Sequence, residues 1–596
     1  MEIRTTTVFH MAGYSYAIFC WGLFSLYCIG YQVKQWRIFW HRRQKLNKLD
    51  DKAFDPCFPW EHWLRPLDRV VSIPFVTEMI AVKHIVGMCL FVIVNVIFIL
   101  FAPFKWTDGF TSFRFEAIGL YDRRCAFMGM VNWAFVFILA SRNSILTSMS
   151  GFTFESIIPY HRWVARVGLL EFIPHFVWRM YKGYIVNYVV ADTLFCDLEQ
   201  TSGTICMFGF LLLFVTSFSF VRRRFFEFFY YAHLIGIVVA IIFACIHEPA
   251  CFLYFIPAVI LWVADRAWRS YQSWLVPMVL LKMDTAVTKT ETQEGISRML
   301  FDYAGMTGYQ PGQYVFLALA RKKANAWWLR WRMANWHPIT VSEVFPGNKA
   351  PDAAEKRVPH HSDEAGRHSI SLEGTTSLDT NSLRRRASAW ADEESQTKHS
   401  RDQHKVASLH IKALGGFSRD LLRHADEGSE VYVKVDGPYG PRLAYQDYQV
   451  LACYAAGIGI TPALTLIKDC VERRASGVST VSTSYVQLVW VVRSTEETLA
   501  FHDQILYWRD RAAKAILPVT LDLQLYVTRE PRGEKSVSGF DRTRYGQRPQ
   551  MDECMNTIPV QHHVCVHTCG SDAFMSSVIN EASRRGWHHH HETFEF

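Results

Sequence analysis

No two cysteines stand in a Cys-x-x-Cys pair anywhere in the 596 residues, although fourteen cysteines are present. Nine of them lie before residue 252, scattered singly. That scatter argues against a zinc ribbon, a redox dithiol or a small disulfide-stapled secreted fold. No basic stripe interleaved with aromatics gathers on one soluble face, so the formal charge of +8 does not read as a nucleic-acid surface. Many lysines and arginines instead flank apolar runs, where they mark membrane topology. Internal repeats are absent. The first apolar run has only Arg4 ahead of it, lacks a small-residue cleavage pattern and is followed by Lys34, Arg37, Arg42 and Arg43, so it reads as an anchor rather than a signal peptide.

What is plentiful is apolar surface. Half of the residues are hydrophobic and 15% aromatic, and they are unevenly spread. Long apolar runs crowd residues 8–265, whereas 280–596 is an ordinary globular mixture punctuated by Gly and Pro. Seven segments are expected to cross a bilayer, at 10–33, 84–103, 128–147, 161–182, 204–221, 228–247 and 250–266, each near the ~20 residues required. Lys and Arg number ten between 34 and 83 and three at Arg222–Arg224, against four between 104 and 127 and none between 183 and 203. The richer side is expected to be cytosolic, which puts the N-terminus outside and everything after 266 in the cytosol. Cys125 and Cys196 then fall in exoplasmic loops, where a disulfide between them is allowed.

After residue 270, alternating runs such as Gln313 to Leu319 and Val431 to Val435 predict a β-barrel-like domain. Buried strands at Val450 to Tyr454 and Val486 to Val492, each followed by a helical pattern, predict an α/β nucleotide domain. Between the two, residues 349–405 hold ten basic and ten acidic side chains with few apolar ones, the composition of a disordered insertion. Within it, Arg384 to Ser388 resembles a basophilic kinase site but is weighed chiefly as a solvated charge run. The expected domains are an N-terminal transmembrane helix and basic loop (1–83), a transmembrane helical bundle (84–270), a β-barrel domain carrying the 349–405 insertion (275–445) and an α/β domain (446–596).

Two predicted helices carry histidines fourteen residues apart: His161 and His175 in one, His233 and His247 in the other. Fourteen steps at ~100° and ~1.5 Å make four turns less ~40° and an advance of ~21 Å, so each helix shows two imidazoles on one face near opposite leaflets. One helix intervenes, so the two run in the same direction and the histidines match in depth, His161 with His233 and His175 with His247. A six-coordinate haem iron needs one nitrogen above and one below, which this arrangement supplies twice. The bland alternative is four polar residues separately paired inside a bundle, which their equal spacing disfavours.

Tyr309 to Tyr314 (Tyr-Gln-Pro-Gly-Gln-Tyr) precedes His337-Pro338-Ile339-Thr340-Val341-Ser342, and from these residues on the sequence resembles the ferric reductase and NADPH oxidase family, whose dehydrogenase half is like ferredoxin reductase. The resemblance implies that His337, Pro338, Thr340 and Ser342 hold FAD, with Ile339 replacing the family's Phe. It implies a second FAD segment at Lys412, Gly415, Gly416 and Ser418, and an NADPH turn at Gly457, Gly459, Thr461 and Pro462. The latter is a Gly-x-Gly-x-Thr-Pro run without the third glycine of the dinucleotide fingerprint. Arg493, after the next strand, is read as the partner of a 2′-phosphate that selects NADPH, or else as a solvated strand end. Cys569 and Gly570 match the family's segment near the nicotinamide, with Ser571 in place of Pro. Relatives set a C-terminal aromatic over the flavin; Phe594 and Phe596 both qualify, and Phe596 is carried forward. His588 to His591 reads as a tag remnant or a chance metal-binding tract and is given no role. The implied activity is electron transfer from cytosolic NADPH through FAD and two haem b groups to ferric or cupric chelates outside the plasma membrane, with a metal-uptake permease or oxidase as partner. The extra first helix and equal histidine spacings resemble fungal metalloreductases; oxygen is the alternative acceptor, and a haem-binding sensor without turnover a third reading.

Overall fold

The structure, a computed structural model, describes residues 2–48, 58–73, 77–101, 118–141, 145–271, 279–287, 295–302, 309–320, 336–346, 405–427, 432–440, 443–530, 536–560 and 563–592. The 349–405 insertion, but for Lys405, and Phe596 lie outside the described residues. The chain divides into two compact units, one comprising Met1–Gln32 and His84–Trp268 and the other Val33–Lys83 and Arg269–Phe596.

The first unit is built on seven long helices: α1 (Glu2–Lys48), whose first part belongs here, α2 (Val82–Phe101), α3 (Ile118–Leu139), α4 (Phe154–Asn187), α5 (Leu198–Thr216), α6 (Phe226–His247) and α7 (Cys251–Ser270). Among the described residues, parts of α1, α2, α5, α6 and α7 are long and apolar enough to cross a membrane. Several boundaries depart from the hydropathy reading: α1 runs to Lys48 rather than ending near 33, and α4 starts at Phe154 rather than 161. The third span, expected at 128–147, starts ten residues earlier as α3, since Ile118 rather than 128 opens it. Hydropathy discards its polar first turns, yet Asp122 and Arg124 are buried there, the Arg124 guanidinium donating to the Ile99 and Leu100 carbonyls at 3.3 and 3.4 Å. Those carbonyls close the last turn of α2, where orphan acceptors need donors. The fifth span, expected from 204, begins at Leu198 because Asp197 caps it, accepting the Gln200 N–H at 2.7 Å. The expected Cys125–Cys196 disulfide is not formed: both are free thiols, and Cys125 lies buried inside α3 rather than in a loop.

Small residues bring the helices of this unit together. A Cβ on Gly129 of α3 would come within 2.9 Å of the Gly168 carbonyl on α4, and one on Gly209 of α5 within 3.0 Å of the Ala240 nitrogen on α6. In an apolar solvent, where burial of oily surface drives little, such close backbone approach supplies the packing energy. A polar chain ties four helices across the core. The Tyr16 hydroxyl donates to Asn132 at 2.8 Å, and the Asn132 amide donates to Asn95 at 2.9 Å and Glu171 at 2.7 Å.

The second unit holds a hairpin of β1 (Val70–Ile73) and β2 (Thr77–Ala81) and two six-stranded sheets. The first sheet takes β3 (Val279–Val287), β4 (Ile296–Asp302), β5 (Tyr314–Ala320), β6 (His337–Pro346), β7 (Lys405–Lys412) and β8 (Tyr432–Tyr439) in the order β3-β4-β7-β6-β5-β8, antiparallel throughout. Alternate residues Met299, Phe301, Val315, Leu317, Leu409, Val433 and Val435 face one core, which Leu421 of α8 (Gly416–Glu427) completes. The second takes β9 (Val450–Ala456), β10 (Tyr485–Val492), β11 (Thr520–Val527), β12 (Arg542–Tyr545), β13 (Val564–Cys569) and β14 (His588–Glu592) in the order β12-β11-β10-β9-β13-β14, all parallel. Helices α9 (Ile460–Ala475), α10 (His502–Ala513) and α11 (Asp572–Arg584) make connections in this half, and β9 is apolar along its whole length, as a strand covered on both faces must be. The chain turns outward from β9 in two directions, so its carboxyl end and that of β13 border the crevice where such sheets bind ligands. The basic segment expected as a loop after residue 33 belongs to this unit and begins as the end of α1: Arg42 of α1 makes two bonds to Asp447, at 3.1 and 2.8 Å, and Asn580 of α11 accepts from and donates to the Val70 backbone at 2.8 and 3.0 Å.

Candidate functional site

In the helical unit, the His161 ring faces His233 at 6.4 Å between centroids, and the His175 ring faces His247 at 6.2 Å. An iron bound by two imidazole nitrogens at ~2.0 Å each would set the ring centres roughly 6 Å apart, so both pairs fit a bis-histidine group. Each Nδ1 has a polar neighbour on its far side. His161 Nδ1 meets the Val136 carbonyl at 3.0 Å, His247 Nδ1 the Glu199 carbonyl at 2.8 Å, His175 Nδ1 the Asp122 carboxylate at 3.1 Å and His233 Nδ1 the Ser217 hydroxyl at 3.4 Å. A carbonyl or carboxylate only accepts, so three of the four rings carry hydrogen on Nδ1 and keep the Nε2 lone pair for a metal. The seating is tight: a Cβ on Gly203 of α5 would stand 2.7 Å from His247 Nδ1.

In the second unit, Gly457 and Gly459 form the turn between β9 and α9. Gly457 has φ +54°, which favours glycine, and its carbonyl accepts the Trp490 indole N–H at 2.9 Å. A Cβ on Gly459 would lie 2.6 Å from the Cys569 carbonyl, and one on Gly570 2.8 Å from Ala456 Cβ, so both glycines are required by the close approach of the β9 and β13 ends. Thr461 and Pro462 stand in the first turn of α9, where a missing N–H costs nothing, and the Thr461 hydroxyl donates to the Ile458 carbonyl at 3.2 Å. Helix α9 therefore points its N-terminus at the crevice, the geometry that receives a pyrophosphate. Cys569 is buried, and burial keeps it a neutral thiol by pushing its pKa far up. Arg493 is exposed just beyond β10; its backbone N–H donates to Glu497 at 3.4 Å.

The residues expected to hold flavin gather less closely. His337 stacks on Phe417 with centroids 3.7 Å apart. Pro338 is half-buried beside it, Thr340 is buried with no hydrogen-bond partner for its hydroxyl among the described residues, and the Ser342 hydroxyl accepts the His410 N–H at 3.1 Å. Gly415 and Gly416 open α8 with nothing among the described residues within 4 Å of a Cβ on either, and the Ser418 hydroxyl accepts the Leu414 and Gly415 N–H groups at 3.0 and 2.9 Å. This open helix start can take a phosphate. Lys412 is buried and ion-paired with Glu497 at 3.2 Å. The two halves of the unit meet where the Gly312 N–H donates to Thr465 at 2.9 Å and Lys468 pairs with Glu343 at 3.2 Å.

Sequence reasoning missed Asp122 and Glu497, and gave the His588–His591 run no role. The first two are single carboxylates without any motif. The histidine run has no apolar pattern to mark it as a strand, yet it is one, in register with β13.

Residues 125–244 match the family model for the ferric reductase like transmembrane component, and residues 448–539 that for the ferric reductase NAD binding domain. Ferric reduction oxidase 4 of Arabidopsis thaliana is 24% identical over 428 residues, covering 70% of this chain and 49% of that protein. Ferric reductase transmembrane component 5 of Saccharomyces cerevisiae is 20% identical over 507 residues, covering 81% and 61%. Dual oxidase 2 of Sus scrofa is 21% identical over 509 residues, covering 74% and 28%. The chain spans about half the length of the curated relatives it matches. A flavohemoglobin structure from Malassezia yamatoensis superposes with a TM-score of 0.35 at 13% identity, covering 80% of this chain and 97% of that one, a likeness on which nothing here rests. The chain thus carries, in this order, a segment matching the ferric reductase like transmembrane component and one matching the ferric reductase NAD binding domain.

Proposed function

We propose that the protein carries electrons from cytosolic NADPH, by way of FAD and two haem b groups, to ferric or cupric chelates on the far side of the plasma membrane, reducing them for metal uptake. The observation that carries this reading is the pair of facing imidazole sets, 6.4 and 6.2 Å apart, with a polar neighbour behind every Nδ1. When bound, FAD supplies the conversion of a two-electron hydride into single electrons, and the haems supply one-electron steps across the bilayer. The chain's own work is positioning. His161, His175, His233 and His247 hold iron; Asp122 and the Val136 and Glu199 carbonyls fix the ring planes and tautomers. The Gly457–Gly459 turn and the α9 N-terminus receive the dinucleotide phosphates, with Arg493 on the 2′-phosphate, while Cys569 lines the nicotinamide side. His337, Pro338, Thr340, Ser342, Lys412 and the Gly415–Ser418 turn surround the flavin, covered by Phe596. A permease or metal oxidase for the reduced ion is the expected partner.

Oxygen competes as acceptor, since a relative is a dual oxidase. Intact cells overproducing the protein are expected to reduce an impermeant ferric chelate with superoxide dismutase present, at a rate that His247→Ala abolishes. Loss of the wild-type rate on adding dismutase would make superoxide the carrier and assign the chain to the oxidases.

A further inference from the structure

The edge of the parallel sheet carries a second cluster of ligating side chains, distinct from the haem histidines and independent of the electron-transfer reading. In the parallel register of β13 and β14, Cys565 stands opposite His588, His567 opposite His590 and Cys569 opposite Glu592. Side chains alternate along a strand, so His588, His590 and Glu592 share a face with Cys565, His567 and Cys569, while His589 and His591 point the other way. The His567 and His590 rings are stacked, with centroids 5.4 Å apart and planes 16° from parallel, and their Nδ1 atoms are 3.2 Å apart. His567, His590 and Glu592 each bring one ligand atom to within 4.8 Å of the others'.

We propose that His567, His590 and Glu592 form a binding site for one divalent transition-metal ion of the zinc or ferrous class. Two imidazoles with one carboxylate suit such ions, and three protein ligands leave a fourth position open. The site is built into the interior rather than scattered on the surface. His567 is 1% exposed and Glu592 8%, and His567 Nε2 is buried with no hydrogen-bond partner among the described residues. A shared proton between the two Nδ1 atoms would satisfy that contact alone and leave Nε2 unanswered. Ligand atoms on a ~2.0–2.2 Å coordination shell lie closer together than 4.8 Å, a contraction within reach of small side-chain rotations. Residue His567 is also what separates this site from a chance histidine tract, because it comes from another strand.

The full-length protein, stripped with chelator and dialysed against micromolar zinc, is expected to retain one zinc that His567→Gln and His590→Gln lose. The affinity loss should exceed ~100-fold, beyond what removing an outer-shell partner costs. The double variant His589→Gln/His591→Gln, on the opposite face, is expected to keep the ion. Unfolding scans without zinc report whether each variant folds. Should His567→Gln or His590→Gln not fold, the zinc K-edge spectrum of the wild type decides: two imidazoles with oxygen neighbours support the site, and a shell of three or four histidines overturns it. Equal zinc retention by wild type and a folded His567→Gln, loss only in the His589/His591 double variant, or no retained zinc in the wild type overturns it as well.

Discussion

Glu497 links two residues that motif reading assigns to different cofactors. Its carboxylate pairs with Lys412 at 3.2 Å, accepts the Arg493 backbone N–H at 3.4 Å and lies 3.8 Å from where a Gly457 Cβ would be. Glu497 engages the Arg493 backbone and the Arg493 side chain is exposed, and the proposed function sets its guanidinium on the 2′-phosphate. A charge-assisted bond at such an exposed position is worth ~1.5 kcal/mol, the lower end of its range. Arg493→Ala is therefore expected to raise the NADPH KM by about tenfold and leave NADH nearly unchanged, in steady-state assays with both nucleotides. Equal weakening of both would give Arg493 a structural part only.

At the scale of elements, glycines decide how closely helices and strands approach. Gly203 packs α5 against the His247 ring, whose Nδ1 is tethered to the Glu199 carbonyl at 2.8 Å, so the ring cannot swing away without losing that bond. Overpacking of this kind typically costs ~1–3 kcal/mol. Gly203→Val is expected to lower the haem-to-protein ratio from about two toward one, since only the His175–His247 pair is disturbed, and pyridine haemochrome assay reads this directly. An unchanged ratio would mean that α5 yields instead of the ring. Strand β14 makes the complementary point, because a run of four histidines has no apolar pattern and is nevertheless held in a sheet by the ladder it shares with β13.

For the whole molecule, the division into two units with separate cores predicts separable activities. His175→Ala is expected to remove one haem while the second unit continues to oxidise NADPH with a soluble dye, because the nucleotide crevice at the β9 and β13 ends lies wholly in that unit. Parallel loss of dye reduction and haem would mean that the units do not fold independently of the haem.

Membrane character, the order of helical and α/β parts, the four histidines and the Gly-x-Gly-x-Thr-Pro turn were legible in the chain alone, because periodicity, length and glycine demand are local properties. All seven expected spans have a long helix, yet the first, third, fourth and fifth begin six to ten residues earlier than hydropathy placed them; in the third and fifth, Asp122, Arg124 and Asp197 are tolerated through partners that the folded state supplies. The Cys125–Cys196 bridge failed for the same reason: Cys125 lies within α3, and a count of loop charges carries no depth. Which carboxylate stands behind His175, which one joins Lys412 to Arg493, and that His567 meets His590 across a strand pair depend on residues 53, 85 and 23 positions apart. Contacts at such separations have no local signature, so only the tertiary structure decided them.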